Sequence, residues 1–125
     1  MILLLAFLFA APDQQVYDLM ASVASALSDG NNIAFRDAFA EGHETLLANV
    51  DALLARADVY SSIDFLKNEG DDKARTLELD WFLQIREKAD NGALLRRRQI
   101  VTVKVEKRGK KWKIVSLAPQ SLFAP

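Results

Sequence analysis

Apolar residues recur with helical spacing up to about residue 57 and with strand-like spacing after it. In the first part they fall every three or four residues, as they do on the buried face of an α-helix. This spacing predicts three helices, over 13–28, 33–40 and 44–57. Asp13 follows Pro12 directly, so we expect it to cap the first helix.

From residue 58 onward, alternate residues are apolar, which is typical of strands with one buried face. The pattern predicts four strands, over 58–66, 75–88, 94–107 and 110–117. Short segments rich in glycine, aspartate and asparagine separate them, so successive strands should run antiparallel. Three helices followed by an antiparallel meander make an α+β fold.

The turns also predict a register for the strands, because the apolar faces of paired strands should coincide. A two-residue turn at 108–109 places Val105 opposite Trp112, and both are apolar. A two-residue turn at 91–92 would mix apolar and polar faces. We therefore expect a longer loop or a bulge there, which brings Trp81 opposite a valine of the third strand.

Charge is distributed unevenly along a chain whose net charge is only -1. Residues 96–113 hold nine Lys or Arg and a single acid, Glu106. A surface for single-stranded nucleic acid would add aromatic residues on the basic face, whereas Trp112 falls on the opposite face. We interpret the stretch as a solvated outer face paired with acids such as Glu78 and Asp80, and we predict no nucleic-acid partner.

The first eleven residues have a different character from the rest. Ile2 to Ala11 form an apolar run that is too short for a membrane-spanning helix, which needs about 20 residues. The run fits a secretory signal, although no basic residue precedes it. We predict a signal-like segment over 1–11, one domain over 12–125, export to the periplasm or medium, and no integral membrane span. A hydrophobic anchor and a buried N-terminal segment are the alternatives.

The order of elements, with the phrases DGNNIAFRDAFA and GKKWKIVSL, resembles the NTF2-like superfamily, in particular its small bacterial SnoaL-like members. The matching residues are Asp29, Gly30, Phe35, Phe39, Trp112 and Ile114. The resemblance implies a cystatin-like α+β cone, in which a strongly curved four-stranded sheet wraps three N-terminal helices. It also implies an internal pocket and a homodimer through the sheet. Such proteins include isomerases, dehydratases and non-catalytic binding domains, so the fold does not choose among them.

Catalysis inside such a cone would need ionisable side chains on the inner face. The predicted inner positions of the last three strands are all apolar, so we predict no catalytic residues. The first strand leaves two phases open. If Ser62 and Asp64 face inward, they form a polar pocket with Tyr60 near by. If Ile63 and Phe65 face inward, as their apolar character favours, Asp64 lies in solvent.

The predicted pocket is therefore apolar. Its lining residues are Tyr17, Met20, Phe35, Phe39, Trp81, Leu83, Val101, Val103 and Trp112. The single histidine, His43, has only Glu41 and Glu44 beside it in sequence and the chain has no cysteine, so we predict neither a metal site nor a cofactor.

Together these observations predict an exported, non-catalytic NTF2-like module with an apolar cone, which binds an apolar small molecule or a protein partner. The alternative is a small-molecule isomerase or lyase of the SnoaL-like type.

Overall fold

The computed structural model describes residues 12–89 and 92–124 of the chain, so the predicted signal-like segment lies outside the described residues. The helices come first: α1 (Pro12–Ser28), α2 (Asn32–Asp37) and α3 (Glu44–Arg56). The strands β1 (Ala57–Gly70), β2 (Ala74–Glu87), β3 (Leu94–Arg108) and β4 (Lys111–Ala118) follow, and a 3₁₀ turn spans Gln120–Phe123. The strands form one antiparallel sheet in the order β1-β2-β3-β4, which confirms the predicted α+β arrangement.

Helix α1 presents one apolar face to the sheet, as its spacing predicted. The fully buried residues of that face are Val16, Met20, Val23 and Leu27. The helix begins at Pro12, where proline costs no intrahelical hydrogen bond. Asp13 therefore lies in the first turn and does not precede it as a cap. Its carboxylate instead pairs with the Arg75 guanidinium of β2.

Helix α2 is shorter than the predicted segment 33–40, because its last residues leave the helix to bond with the sheet. The amide of Ile114 donates to the carbonyl oxygen of Ala38 at 2.8 Å, and the amide of Ala40 donates to the carbonyl oxygen of Ile114 at 2.9 Å. Phe39 thereby forms a single parallel bridge with Ile114. Tertiary pairing thus overrides the local helical pattern.

The β1–β2 hairpin extends further than the predicted strand 58–66. Asp71 organises its turn, since its carboxylate accepts hydrogen bonds from the amides of Lys73 at 2.8 Å and Ala74 at 2.9 Å. These two bonds, helped by nearby positive charge, lower the pKa of Asp71. Gly70 precedes the turn at a φ of 140°, a conformation that favours glycine.

The β3–β4 register differs from the predicted one by two residues. Arg108 pairs with Lys111 across the turn, so Val105 opposes Ile114 rather than Trp112. The glycine at 109 takes the first of the two turn positions, not the second. A shift of two residues keeps the apolar side chains on the same face, which is why the pattern could not distinguish the two registers.

The β2–β3 connection is longer than two residues, as predicted. The amide of Glu87 donates to the carbonyl oxygen of Ala93 at 2.9 Å, and strand pairing starts one residue further along each strand. Trp81 opposes Gln99, however, and not a valine. The expected partner was wrong because the loop shifts the register by three residues.

The inner face of the sheet and the helices enclose an apolar core, and the C-terminal 3₁₀ turn closes it. Phe123 is fully buried, with its ring 5.1 Å from that of Trp81 at an interplanar angle of 85°. Arg97 Nη1 holds the turn by donating to the carbonyl oxygens of Leu122 at 3.0 Å and Ala124 at 2.6 Å. The sequence pattern had not predicted this turn.

Candidate functional site

Most of the predicted pocket residues lie together in the core. The side chains of Met20, Phe35, Phe39, Trp81, Leu83, Val101, Val103 and Trp112 are at most 7% exposed and belong to one apolar cluster. Tyr17 is set apart from them, with 37% exposure and its ring edge-on to Phe65 at a centroid distance of 4.3 Å. Only Trp112 among these residues also lines one of the surface depressions described below.

Strand β1 adopts the apolar phase of the two left open by its sequence. Ile63 and Phe65 pack against the core, while Asp64 is exposed on the outer face. One polar residue, Ser61, nevertheless faces inward and is 8% exposed. Its Oγ accepts a hydrogen bond of 2.9 Å from Trp81 Nε1, which satisfies the indole.

An ion pair lies at the centre of the outer face. Asp64 of β1 stands directly opposite Asp80 of β2, and two like charges there would repel each other. Arg98 of β3 offsets this repulsion by a forked contact with Asp80, with Nε–Oδ1 at 3.0 Å and Nη2–Oδ2 at 2.7 Å. The hydrogen bond from Arg98 lowers the pKa of Asp80, and the Asp80 carboxylate, with a smaller effect of Asp64, raises the pKa of Arg98.

These charges surround a shallow depression of about 250 Å³. It is lined by Ser62, Asp64, Asp80, Phe82 and Arg98. Two large apolar side chains, Tyr60 and Ile100, stand beside it on the same face, each 57% exposed. We call the surface formed by these seven residues the outer patch. It combines exposed apolar groups with charges of both signs.

Charge is unevenly distributed over the outer face. Strand β1 carries the exposed acids Asp58 and Asp64 before its bulge and Lys67 after it, whereas β3 carries the exposed bases Arg96, Arg98 and Lys104, with Glu106 near its end. The basic stretch is therefore a solvated face, and one of its predicted charge pairs, Arg98 with Asp80, is present.

A second depression, of about 430 Å³, lies between the helices and the start of β4. We call it the β4 groove. It is lined by Gln15, Asp18, Leu19 and Ser22 of α1, by Ala34, Asp37 and Ala38 at α2, and by Lys110, Lys111, Trp112 and Lys113. Trp112 Nε1 donates to Gln15 Oε1 at 2.8 Å, which fixes the indole beneath the groove. The Lys113 ammonium contacts the backbone carbonyl oxygen of Asp37.

The single histidine, His43, lines neither depression. His43 lies at the start of α3 and packs edge-on to Phe39, at a ring-centroid distance of 5.4 Å. Within 12–89 and 92–124, no three or more His, Cys, Asp or Glu residues are grouped so that they could hold a metal ion. None of the helices in this part of the chain is long and apolar enough to cross a membrane.

Comparison with solved structures identifies the architecture. A conserved protein from Planctomyces limnophilus superposes with a TM-score of 0.79 at 10% identity, over 86% of this chain and 93% of that chain. An NTF2-like superfamily protein from Salmonella enterica superposes with a TM-score of 0.70 at 12% identity, over 85% and 87%. The chain has the NTF2-like fold. The resemblance inferred from sequence is thus confirmed for the fold.

Other similar structures of the NTF2-like fold include an enzyme. A type 2 hexachlorocyclohexane dehydrochlorinase, LinA, superposes with a TM-score of 0.71 at 12% identity, over 84% of this chain and 81% of that chain. At such identity the likeness extends to the fold alone. No protein-family model matches the sequence, and no curated protein matches it.

Sequence reasoning missed the two surfaces that stand out in this NTF2-like chain. Ile100 is an apolar residue between Arg98 and Thr102 on a mostly polar strand face, and that break in the alternation was the available signal for the outer patch. The β4 groove left no comparable signal, because its walls come from residues far apart in sequence.

Proposed function

We propose that this NTF2-like chain is a non-catalytic interaction module whose outer patch binds a second copy of the chain. The non-catalytic part of the proposal is supported by one observation on the inner face of the sheet. On the described inner face of the sheet, Ser61 is the polar residue that is fully enclosed, and its hydroxyl already accepts a hydrogen bond from Trp81 Nε1. Asn68 and Arg75 also face inward, near the end of the sheet, and both contact the carboxylate of Asp13, whose side chain is 55% exposed. A general acid or base working inside the cone would need an ionisable group there.

The composition of the outer patch supports a protein partner. Tyr60 and Ile100 expose apolar surface that a partner could bury, and Phe82 lies between them on the same face. Interface cores favour aromatic residues and arginine, and the patch contains both. Large exposed apolar groups on a sheet face often mark interaction sites.

The charge pattern supports a second copy as that partner. In a twofold dimer the same patch meets itself, so it must be self-complementary. Two copies can stack sheet against sheet about a twofold axis that lies midway between the two sheets. If this axis runs parallel to the strands and passes over β2, then β1 of one copy lies over β3 of the other. Asp64 of each copy then approaches the strand of the other copy that carries Arg98. The twofold axis makes this contact occur twice.

Sedimentation equilibrium tests the proposed dimer. Ile100→Glu places a charge in the outer patch and should raise the dimer dissociation constant by at least about tenfold, since each 1.4 kcal/mol is a factor of ten. Ile33→Glu is the matched control, because Ile33 is 77% exposed on α2, away from the sheet. A wild-type monomer, or equal effects of both substitutions, would contradict the proposal.

The sequence left two other possible functions, a binder of an apolar small molecule and an isomerase or lyase. An apolar small-molecule ligand would have to enter a region where the predicted pocket residues pack against one another. An isomerase or lyase would have to act outside the apolar interior, for instance in the β4 groove. We therefore propose the interaction module ahead of both.

Export is the remaining part of the proposed function. The apolar run from Ile2 to Ala11 supports it, in the form of a secretory signal. Expression of the full chain in a bacterial host, followed by mass measurement of the periplasmic and cytoplasmic fractions, tests this. Export predicts a shortened periplasmic chain, whereas an uncut cytoplasmic chain would count against it.

A further inference from the structure

Strand β4 has an edge that is only partly covered. Both backbone groups of Ile114 point away from β3, because they bond with Ala38 and Ala40 on the opposite side. Backbone direction repeats every second residue in an antiparallel strand. The N–H and C=O groups of Trp112 therefore point to the same side, and they have no backbone partner there among the described residues.

This uncovered edge opens into the β4 groove. Helix α1 and the end of α2 form the opposite wall, and the volume of about 430 Å³ falls in the range of ligand-binding clefts. The space thus lies where a neighbouring strand would hydrogen-bond, between a free strand edge and two helices. An extended peptide is the ligand whose backbone matches such an edge.

The lining of the groove carries a net positive charge, because its three lysines outnumber its two aspartates. Asp37 lies 3.9 Å from the Lys113 ammonium, whereas Asp18 accepts a hydrogen bond of 2.9 Å from the neutral Gln14 amide and keeps its negative charge. Lys110 and Lys111, in contrast, form no ion pair with any residue of the described chain. Lysines at a strand edge also oppose edge-to-edge pairing of two identical copies.

We propose that the β4 groove binds an extended acidic peptide segment of another protein, which adds to the edge of β4 at Trp112. The peptide backbone would pair with the N–H and C=O groups of Trp112. Its carboxylates would contact Lys110 and Lys111. This surface is distinct from the outer patch, so the groove could be occupied in a monomer or in a dimer.

A defined peptide pair tests the main-chain pairing. The probe is Glu-Val-Glu-Val-Glu, acetylated and amidated, and its control has every backbone amide methylated. We expect the probe, but not the methylated peptide, to slow hydrogen exchange of the Trp112 amide, measured by NMR on isotope-labelled protein. No protection of that amide, or equal binding of the two peptides, would overturn the proposal.

Charge reversal tests the recognition of acidic side chains. Lys110→Glu combined with Lys111→Glu should weaken binding of the probe by at least about tenfold. The matched control, Lys67→Glu with Lys73→Glu, changes two exposed lysines at the β1–β2 end of the sheet and should leave the affinity unchanged. Equal losses in both double variants would show attraction to the whole protein's charge and would overturn a site at the groove.

Discussion

At the scale of single residues, the Ser61–Trp81 pair stands out, because it places a polar contact inside an apolar core. Both side chains are buried, and the 2.9 Å bond leaves the indole N–H satisfied. Breaking one side of such a buried pair costs more than the bond itself contributes, since the remaining group loses its partner. We therefore infer that the pair stabilises the core.

A double-mutant cycle tests this role. Trp81→Phe should lower the free energy of unfolding by about 1–3 kcal/mol through the unpaired Ser61 hydroxyl, and lost packing adds to this. Combining it with Ser61→Ala should cost less than the sum of the two single changes, because they remove the same bond. Urea unfolding measures all four proteins. Strict additivity would mean that the two side chains are not coupled.

The Arg98–Asp80 pair predicts a dependence of stability on pH. The pKa of Asp80 is lowered in the folded chain from its ordinary value of 3.8. The ionised carboxylate thus stabilises the fold above that value, and the contribution is lost as the pH falls through the lowered pKa. Asp80→Asn should be less stable than the wild type at pH 7, and urea unfolding should show the difference shrinking in acid. A difference that persists unchanged below both pKa values would contradict this assignment.

At the scale of elements, the β1–β2 turn depends on a glycine in a way the β3–β4 turn does not. A Cβ at position 70 would lie 2.2 Å from the carbonyl oxygen of Ala74, which belongs to the backbone and cannot move aside. At Gly109 a Cβ would meet nothing within 4 Å. The backbone also differs, because Gly109 has a φ of 65°, in the left-handed region, whereas the φ of 140° at Gly70 lies outside the regions that L-residues adopt readily.

Alanine substitutions at the two turns should therefore differ. Gly109→Ala should cost about 1–2 kcal/mol, for the left-handed conformation alone. Gly70→Ala should cost clearly more, because the hairpin must also shift to relieve the clash. Thermal unfolding of the two variants compares them directly. Equal losses would mean that the β1–β2 turn adapts without strain.

The elements also show what sequence pattern can predict. Period-two alternation located all four strands, because each has one buried face. It could not predict the end of α2, which depends on pairing between Ala38–Ala40 and Ile114, distant in sequence. It could not predict the 3₁₀ turn either, since Leu122 and Phe123 are too few residues to show a period.

At the scale of the whole molecule, the sequence predicted the fold better than the candidate site. An apolar residue that lines a pocket and one that fills a core give the same pattern, and eight of the nine predicted pocket residues belong to the core cluster. The outer patch and the β4 groove both depend on register and on packing between distant segments. A single sequence carries little information on either.

The molecule thus has an apolar interior and two polar surfaces of different character. The outer patch has an acid on β1, Asp64, and a base on β3, Arg98, which is the arrangement that the proposed twofold pairing needs. The β4 groove is basic and has a free strand edge. We infer that one surface serves assembly of the chain with itself and the other serves a different protein, while the interior maintains the fold.

Native mass spectrometry of the full chain, expressed with its own N-terminus, tests the central claim most directly. We predict a dimer that carries no bound small molecule, because the outer patch is proposed to pair two copies and apolar side chains pack together in the interior. A monomer with a reproducible small-molecule adduct would contradict the claim and would identify the chain as a ligand-binding or catalytic cone instead.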